Sequence, residues 1–269
     1  MRGESHAAAC VALTIAGSDP SGGAGLQADL KTFQQHGVYG ASVVTLLTVQ
    51  NTVAVREVRV LEPAFVLAQL EAVLADVPPA AAKTGALGSA AVIEAVARQA
   101  TRFQFPLVVD PVMVSKHGDA LMDAGAAEAL RDRLLPCAFL VTPNIHEASA
   151  LTGMVIDGPG AMIEAARTIA RMGPRHVLIK GGGLAGEAAD LLWSEGQPVW
   201  LTGPRVASTS THGTGCVFSA AITARLAGGE GLPDAARSAK GFVTRAIAAA
   251  PGIGHGRGPI NLLVPPDEP

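Results

Sequence analysis

The sequence predicts an α/β protein, a three-layer α/β/α sandwich around a mostly parallel sheet. Three observations carry that prediction. Short runs rich in Val, Leu and Ile alternate with longer stretches of helical periodicity, as expected of strands buried on both faces by helices. Apolar residues make up 49% of the 269 residues and charged residues 16%, which supplies a large core and leaves too little charge for long disordered segments. The 31 glycines crowd where apolar runs end, where the chain turns sharply or lets a ligand come close to its backbone.

Taken in order, the first predicted strand covers 11–16 and enters the loop Gly17-Ser18-Asp19-Pro20-Ser21-Gly22-Gly23-Ala24-Gly25, from which a helix starts near Leu26. A second strand over 42–49 ends at Gln50. Pro63 suits a first helical position, and Val66, Leu70, Val73 and Leu74 follow at i, i+4, i+7 and i+8 to draw one apolar stripe. Further strands are predicted over 80–84, 106–110, 138–142, 176–180, 189–193 and 198–201. Two Ala-rich helices, 214–227 and 233–249, close the pattern, and neither carries the heptad charges of a coiled coil. There is no repeat of 20 to 50 residues and no Pro/Ser-rich linker. One domain over 11–261 is the economical division, with an N-terminal extension over 1–10 and a frayed tail over 262–269.

Charge removes several functions. Twenty Lys and Arg against 23 Asp and Glu leave a net charge of −3, without any block of five like charges, so no nucleic-acid partner is expected. No stretch approaches 18 uninterrupted apolar residues, so no membrane span is expected either. Cys10, Cys137 and Cys216 form no even disulfide set and fit no spaced zinc pattern, which favours a reducing, cytoplasmic setting. The apolar run 7–16 behind Arg2 has a secretory look, but Glu4 cancels that charge and the run flows straight into the glycine loop.

The candidate chemistry lies where predicted strands end. Glycines from Gly17 onward let backbone amides approach a polar ligand, yet the loop is neither a phosphate-binding Walker loop nor a G-x-G-x-x-G turn, which disfavours a nicotinamide dehydrogenase. In Thr211-His212-Gly213-Thr214-Gly215-Cys216, the amides of Gly213 to Cys216 open a helix and form an anion site, whose field is expected to lower the Cys216 thiol pKa. Asn144 and Glu147 have the spacing of a capping box, while a Glu at a strand's carboxyl end is also a place for Mg²⁺; both readings stand. Lys180, ahead of Gly181-Gly182-Gly183, is placed to reach a nucleotide phosphate. Asp29, Gln50 and Asp110 complete the set, all beyond the carboxyl ends of strands, where open α/β sheets bind ligands.

The ordered segments ALTIAGSDPSGGAGLQADLKTF, VQNT, KTGALG, VVDPVM, the Gly118-Asp119 pair of SKHGDAL, LVTPN with Glu147, IKGG, THGTGC and GHGRGP resemble the hydroxymethylpyrimidine and phosphomethylpyrimidine kinases of thiamine biosynthesis, from about Val11 to Asn261. The resemblance implies a ribokinase-like α/β/α domain that uses ATP and Mg²⁺ and forms a homodimer. It implies that Gly17, Asp29 and Gln50 contact the pyrimidine, and that Cys216, with Gly213 and Gly215, serves the catalytic step and helps take the substrate hydroxyl's proton. It further implies that Lys180 and Thr211 meet ATP, and that Glu147, Asn144 and Asp110 lie near magnesium. Three positions depart from the family pattern: Ala86 where Met is frequent, Gly183 where His is frequent, and Arg257 in place of a second His. The alternatives are a pyridoxine or pyridoxal kinase of the same fold and a non-catalytic pyrimidine- or vitamin-binding protein.

Overall fold

A computed structural model describes residues 10–113, 123, 125–184 and 188–266. Among these described residues, nine strands form one sheet in the order β3-β2-β1-β4-β5-β6-β7-β8-β9. They are β1 (Val11–Ser18), β2 (Tyr39–Gln50), β3 (Val55–Val60), β4 (Ala81–Thr84), β5 (Leu107–Val109), β6 (Leu140–Val141), β7 (His176–Ile179), β8 (Asp190–Ser194) and β9 (Gln197–Leu201). The central pairs β2-β1-β4-β5-β6-β7 are parallel, whereas β3, β8 and β9 run antiparallel to their neighbours. The connecting helices are α1 (Gly25–Gln35), α2 (Pro63–Asp76), α3 (Ala90–Ala100), α4 (Ala126–Ala129), α5 (Ile145–Thr152), α6 (Pro159–Ala170), α7 (Thr214–Ala227) and α8 (Leu232–Ala248).

Period-two alternation divides the core between the two faces. Val108, Leu140, Leu178 and Leu192 pack with Phe218 and Ile222 of α7 and Phe242 of α8. Their neighbours Val109, Val141, Ile179 and Leu191 pack on the other face with Val96 of α3, Ala148 of α5 and Ile169 of α6. Because both faces are covered, the strands read as continuous apolar runs rather than as alternating ones.

The predicted helix over 214–227 has the observed bounds of α7, and Pro63 opens α2 as its fixed φ favours. The strand β3 was not expected from sequence. Its segment VREVRV is a partly exposed edge strand with charges on it, so it lacks the apolar run that marks the buried strands. The predicted strand over 138–142 shortens to β6, and Lys180 lies just past β7, where it bridges Asn144 in parallel. Of the tail expected over 262–269, the described residues 262–266 are held to the domain, and 267–269 lie outside the described residues. Gln35 donates to the Val264 carbonyl at 2.9 Å, and Arg245 donates to the Pro266 carbonyl at 2.8 Å.

Candidate active site

A cavity of about 920 Å³ opens at the carboxyl ends of the parallel strands. It lies over the place where the chain leaves β1 for β2 on one side while β4 pairs on the other, the point of an open sheet where ligands bind. Gly17, Asp29, Gln50, Asp110, Asn144, Glu147, Lys180, Thr211, Gly213, Gly215 and Cys216 all line this cavity. The Gly118-Asp119 pair lies outside the described residues.

Two glycine loops meet to shape it. Gly213 has φ +78°, and a Cβ there would run into the Gly23 carbonyl oxygen, so only glycine lets the turn before α7 rest against the β1–α1 loop. Gly25, at φ +57°, presses in the same way on the Gly17 carbonyl. The start of α7 is therefore locked to the loop that follows β1, and Gly213, Thr214, Gly215 and Cys216 line the cavity there, where the N–H groups of a helix's first turn have no acceptor in the preceding turn of the helix.

Beneath those amides, Lys180 Nζ bonds Asp110 Oδ1 at 2.8 Å, and Thr142 Oγ1 donates to the same carboxylate oxygen at 3.2 Å. Burial opposes the charge of each. Asp110 and then Glu147 nevertheless hold the Lys180 ammonium above its ordinary pKa, and Lys180 and Lys83 hold the Asp110 carboxyl below its own. A Cβ on Gly215 would stand 3.2 Å from Lys180 Nζ and 3.8 Å from Asp110 Oδ2. Amide dipole, ammonium and carboxylate thus converge on one small space.

Asn144 and Glu147 do form the capping box. The Asn144 side chain accepts the Glu147 N–H at 2.9 Å, and Glu147 Oε2 accepts the Asn144 N–H at 2.8 Å. This fixes the start of α5 and leaves both residues on the cavity wall, so the structural and the ligand-facing readings are compatible.

One expectation is overturned. The Cys216 thiol is not made more acidic at the helix start. Burial pushes it up to about 11, and the Asp29 and Asp110 carboxylates push the same way, against Lys83 and the Gly25 N–H. Desolvation of a thiolate outweighs the helix field here, and Cys216 is a protonated thiol at neutral pH.

Asp29 lies at the cavity floor and is fully buried. It takes Lys83 Nζ at 2.8 Å and the Thr14 hydroxyl at 2.6 Å, with both members of the ion pair at 0% exposure. Lys83 escaped the sequence reading because a lone Lys inside the strand AAKT gives no sign of a partner 54 positions away. Two further constellations were also missed. Asp190 accepts the Gly181 N–H at 2.8 Å and the Lys240 ammonium at 2.7 Å, which pins the turn after Lys180 to α8. Asp19 accepts His212 Nε2 at 2.7 Å.

The family profile described as phosphomethylpyrimidine kinase matches residues 19–261. The chain belongs to the phosphomethylpyrimidine kinase family. It is 49% identical over 254 residues to the thiamine biosynthesis bifunctional protein ThiED of Geobacter sulfurreducens, covering 94% of this chain but 52% of that protein, so it spans about half of that relative's length. It is 47% identical to the hydroxymethylpyrimidine/phosphomethylpyrimidine kinase of Streptomyces coelicolor, covering 93% of each chain. Its fold matches the crystal structure of an ADP complex of Bacillus subtilis pyridoxal kinase with a TM-score of 0.87 and 38% identity, over 94% of this chain and 97% of that one.

The three departures from the phosphomethylpyrimidine kinase pattern all face the cavity. Ala86 lends its carbonyl to the Thr45 hydroxyl at 2.6 Å. A Cβ on Gly183 would find its nearest neighbour, Ile145, only at 4.0 Å. The Arg257 N–H donates to the Thr52 carbonyl at 2.9 Å, close to Gln50 in the chain.

Proposed function

We propose that the protein transfers a phosphoryl group from ATP to the hydroxyl of 4-amino-5-hydroxymethyl-2-methylpyrimidine and then to the resulting monophosphate, in thiamine biosynthesis. The observation that carries the proposal is the convergence of the α7 amides, Lys180 and Asp110 on the space above Gly215. Phosphoryl transfer asks little covalent work of a protein and much positioning of charge. The α7 amides and the Lys180 ammonium would stabilise charge on the transferring group, and Thr211 would lie along the nucleotide.

The pyrimidine would lie at the other end, between Gly17 and Gln50 and above Asp29. With its thiol pKa about 11, Cys216 would not act as a base at neutral pH. A loose transition state needs little prior deprotonation of the hydroxyl, so its proton would leave late, to an oxygen of the transferred phosphoryl group, with Cys216 beside it as a neutral thiol.

Among the described residues no three His, Cys, Asp or Glu side chains cluster as a resident metal cage. Magnesium arriving with ATP needs only one or two carboxylates and keeps its remaining waters, and Asp110 and Glu147, with Asn144 beside them, fit that demand. Bound there, the ion would neutralise phosphate charge. No helix among the described residues is long and apolar enough to cross a membrane. A cytoplasmic homodimer is part of the proposal, with Leu47, Val49 and Val60, which are exposed on β2 and β3, available to a second copy.

A second reading, pyridoxal kinase, is favoured by the 38% identical structure that bears that activity's name. The higher identities to pyrimidine kinases favour the first. Steady-state ADP release with the pyrimidine alcohol, its monophosphate and pyridoxine separates them. The pyrimidines are expected to have the larger kcat/KM, and a larger value for pyridoxine would overturn the proposal.

A further inference from the structure

His212 Nε2 has two neighbours that make incompatible demands. It lies 2.7 Å from Asp19 Oδ2 and 3.3 Å from Gln50 Nε2. A ring nitrogen carries either a hydrogen or a lone pair, so it cannot donate to a carboxylate and accept from an amide NH₂ at once.

Asp19 decides which it is. The same carboxylate accepts the Ser21 N–H, the Ser21 O–H and the Ala24 N–H, each at 2.9 Å. Three donors already point at it, as expected of an ionised acceptor. Burial works against that charge, but hydrogen bonds from His212 and Ser21 hold the Asp19 carboxyl below its ordinary pKa. The hydrogen therefore sits on Nε2.

An N–H facing an amide NH₂ across 3.3 Å is repulsive, whereas the two ends of an amide are alike in shape. The stable arrangement has the Gln50 oxygen toward His212, sharing the Nε2–H, and the NH₂ group turned to the cavity. The imidazole itself has little freedom to adjust. It is 2% exposed, its backbone N–H donates to the Gly258 carbonyl at 3.1 Å, and its Nδ1 is buried with no hydrogen-bond partner among the described residues.

We propose that Asp19, acting through His212, is a positioning residue that turns the Gln50 amide so that its NH₂ faces the substrate, which selects rings presenting a hydrogen-bond acceptor at that edge. The second half of this proposal rests on the kinase reading of the cavity. The first half, the orientation of the amide, does not. An unprotonated ring nitrogen satisfies the donor fully. A phenolic hydroxyl satisfies it only by turning its own hydrogen elsewhere, so pyridoxine is the poorer partner.

Two experiments separate the halves. In the unliganded protein, nitrogen-15 spectra of the His212 ring should show a hydrogen on Nε2, and Asp19→Asn should move the Gln50 side-chain NH₂ resonances. A bare Nε2, or resonances that do not move, would overturn the positioning role whatever the protein phosphorylates. In turnover, Gln50→Glu keeps the shape and an acceptor toward His212 but removes the donor. It should lower kcat/KM for the aminopyrimidine by roughly 5- to 150-fold, the cost of an unmet buried hydrogen bond, with KM for ATP unchanged. An unchanged kcat/KM would show that the ring meets an oxygen and would overturn the selection, while absence of any pyrimidine turnover in the unaltered protein would tell instead against the kinase reading.

Discussion

Cys216 illustrates how burial can reverse what a local motif suggests. Helix starts make thiols acidic, but this half-buried thiol on the cavity wall stands beside two carboxylates and a lysine already claimed by one of them. Its folded pKa of about 11 stands above its ordinary value of 9.0. A raised pKa contributes stability that is complete below pH 9 and is lost as pH climbs toward 11, because the unfolded thiol ionises first. Relative to Cys216→Ala, which has nothing to ionise there, the protein should therefore lose about 1 kcal/mol between pH 8 and pH 10. Chemical denaturation at both pH values measures this, and a constant difference would show that the thiol ionises as easily as in water. Lys83 makes the complementary case. Lys83→Met would leave Asp29 buried without its counter-charge, and removing one partner of such a pair costs about 3–5 kcal/mol. Asp29→Asn in the same background should recover part of that loss, as a double-mutant cycle would report; no recovery would mean that the two side chains are not coupled.

At the scale of elements, the start of α7 carries the site because three things coincide there: the amides of a helix's first turn on the cavity wall, a glycine turn seated on the β1–α1 loop, and the Lys180–Asp110 pair beside them. Gly215→Val tests that coincidence. Its Cβ alone would stand 3.2 Å from Lys180 Nζ, and the added methyls would fill the space assigned to a phosphate. Turnover should fall by about 100-fold or more, comparable to losing a preorganised charge-stabilising donor, while far-UV circular dichroism stays the same. Full activity would remove the α7 start from the mechanism. The motifs THGTGC, TPNxxE and IKGG were legible in the sequence because each is local, a strand end, a turn and a helix start within a few residues. Lys83, Asp190 and Lys240 were not legible, since each acquires its role from a partner far along the chain, 54 residues away for Lys83 and 50 for Asp190 and Lys240. His212 stood in plain view within a recognised motif, but its meaning depends on Asp19, 193 positions earlier. Strand β3 was missed for a different reason: an exposed edge strand needs no continuous apolar run.

For the molecule as a whole, the sheet order separates the two ends of the cavity in sequence and joins them in space. The end near Gly17, Gln50 and Lys83 is built from β1, β2 and β4, and the end near Lys180 from the turns after β5, β6 and β7 together with α7 and α8. The contact of Gly213 with the Gly23 carbonyl and the Asp190–Lys240 pair are the ties that hold the second end in place. A nucleotide lying along Lys180 and the start of α7 would contact the sheet, the α7–α8 layer and the α5 start at once, so it would bind the folded chain and not the unfolded one. Ligand at 100 times its Kd then adds about 2.7 kcal/mol to stability, which for a chain of this size corresponds to about 5–10 °C in Tm. Thermal unfolding with a non-hydrolysable ATP analogue and magnesium is expected to show a rise of that order, and Lys180→Ala should abolish most of it while leaving the rise given by the pyrimidine alone. A Tm indifferent to the nucleotide at millimolar concentration would place the phosphoryl donor outside this cavity, and equal loss of both rises in Lys180→Ala would mean that Lys180 holds the cavity together instead of holding a phosphate.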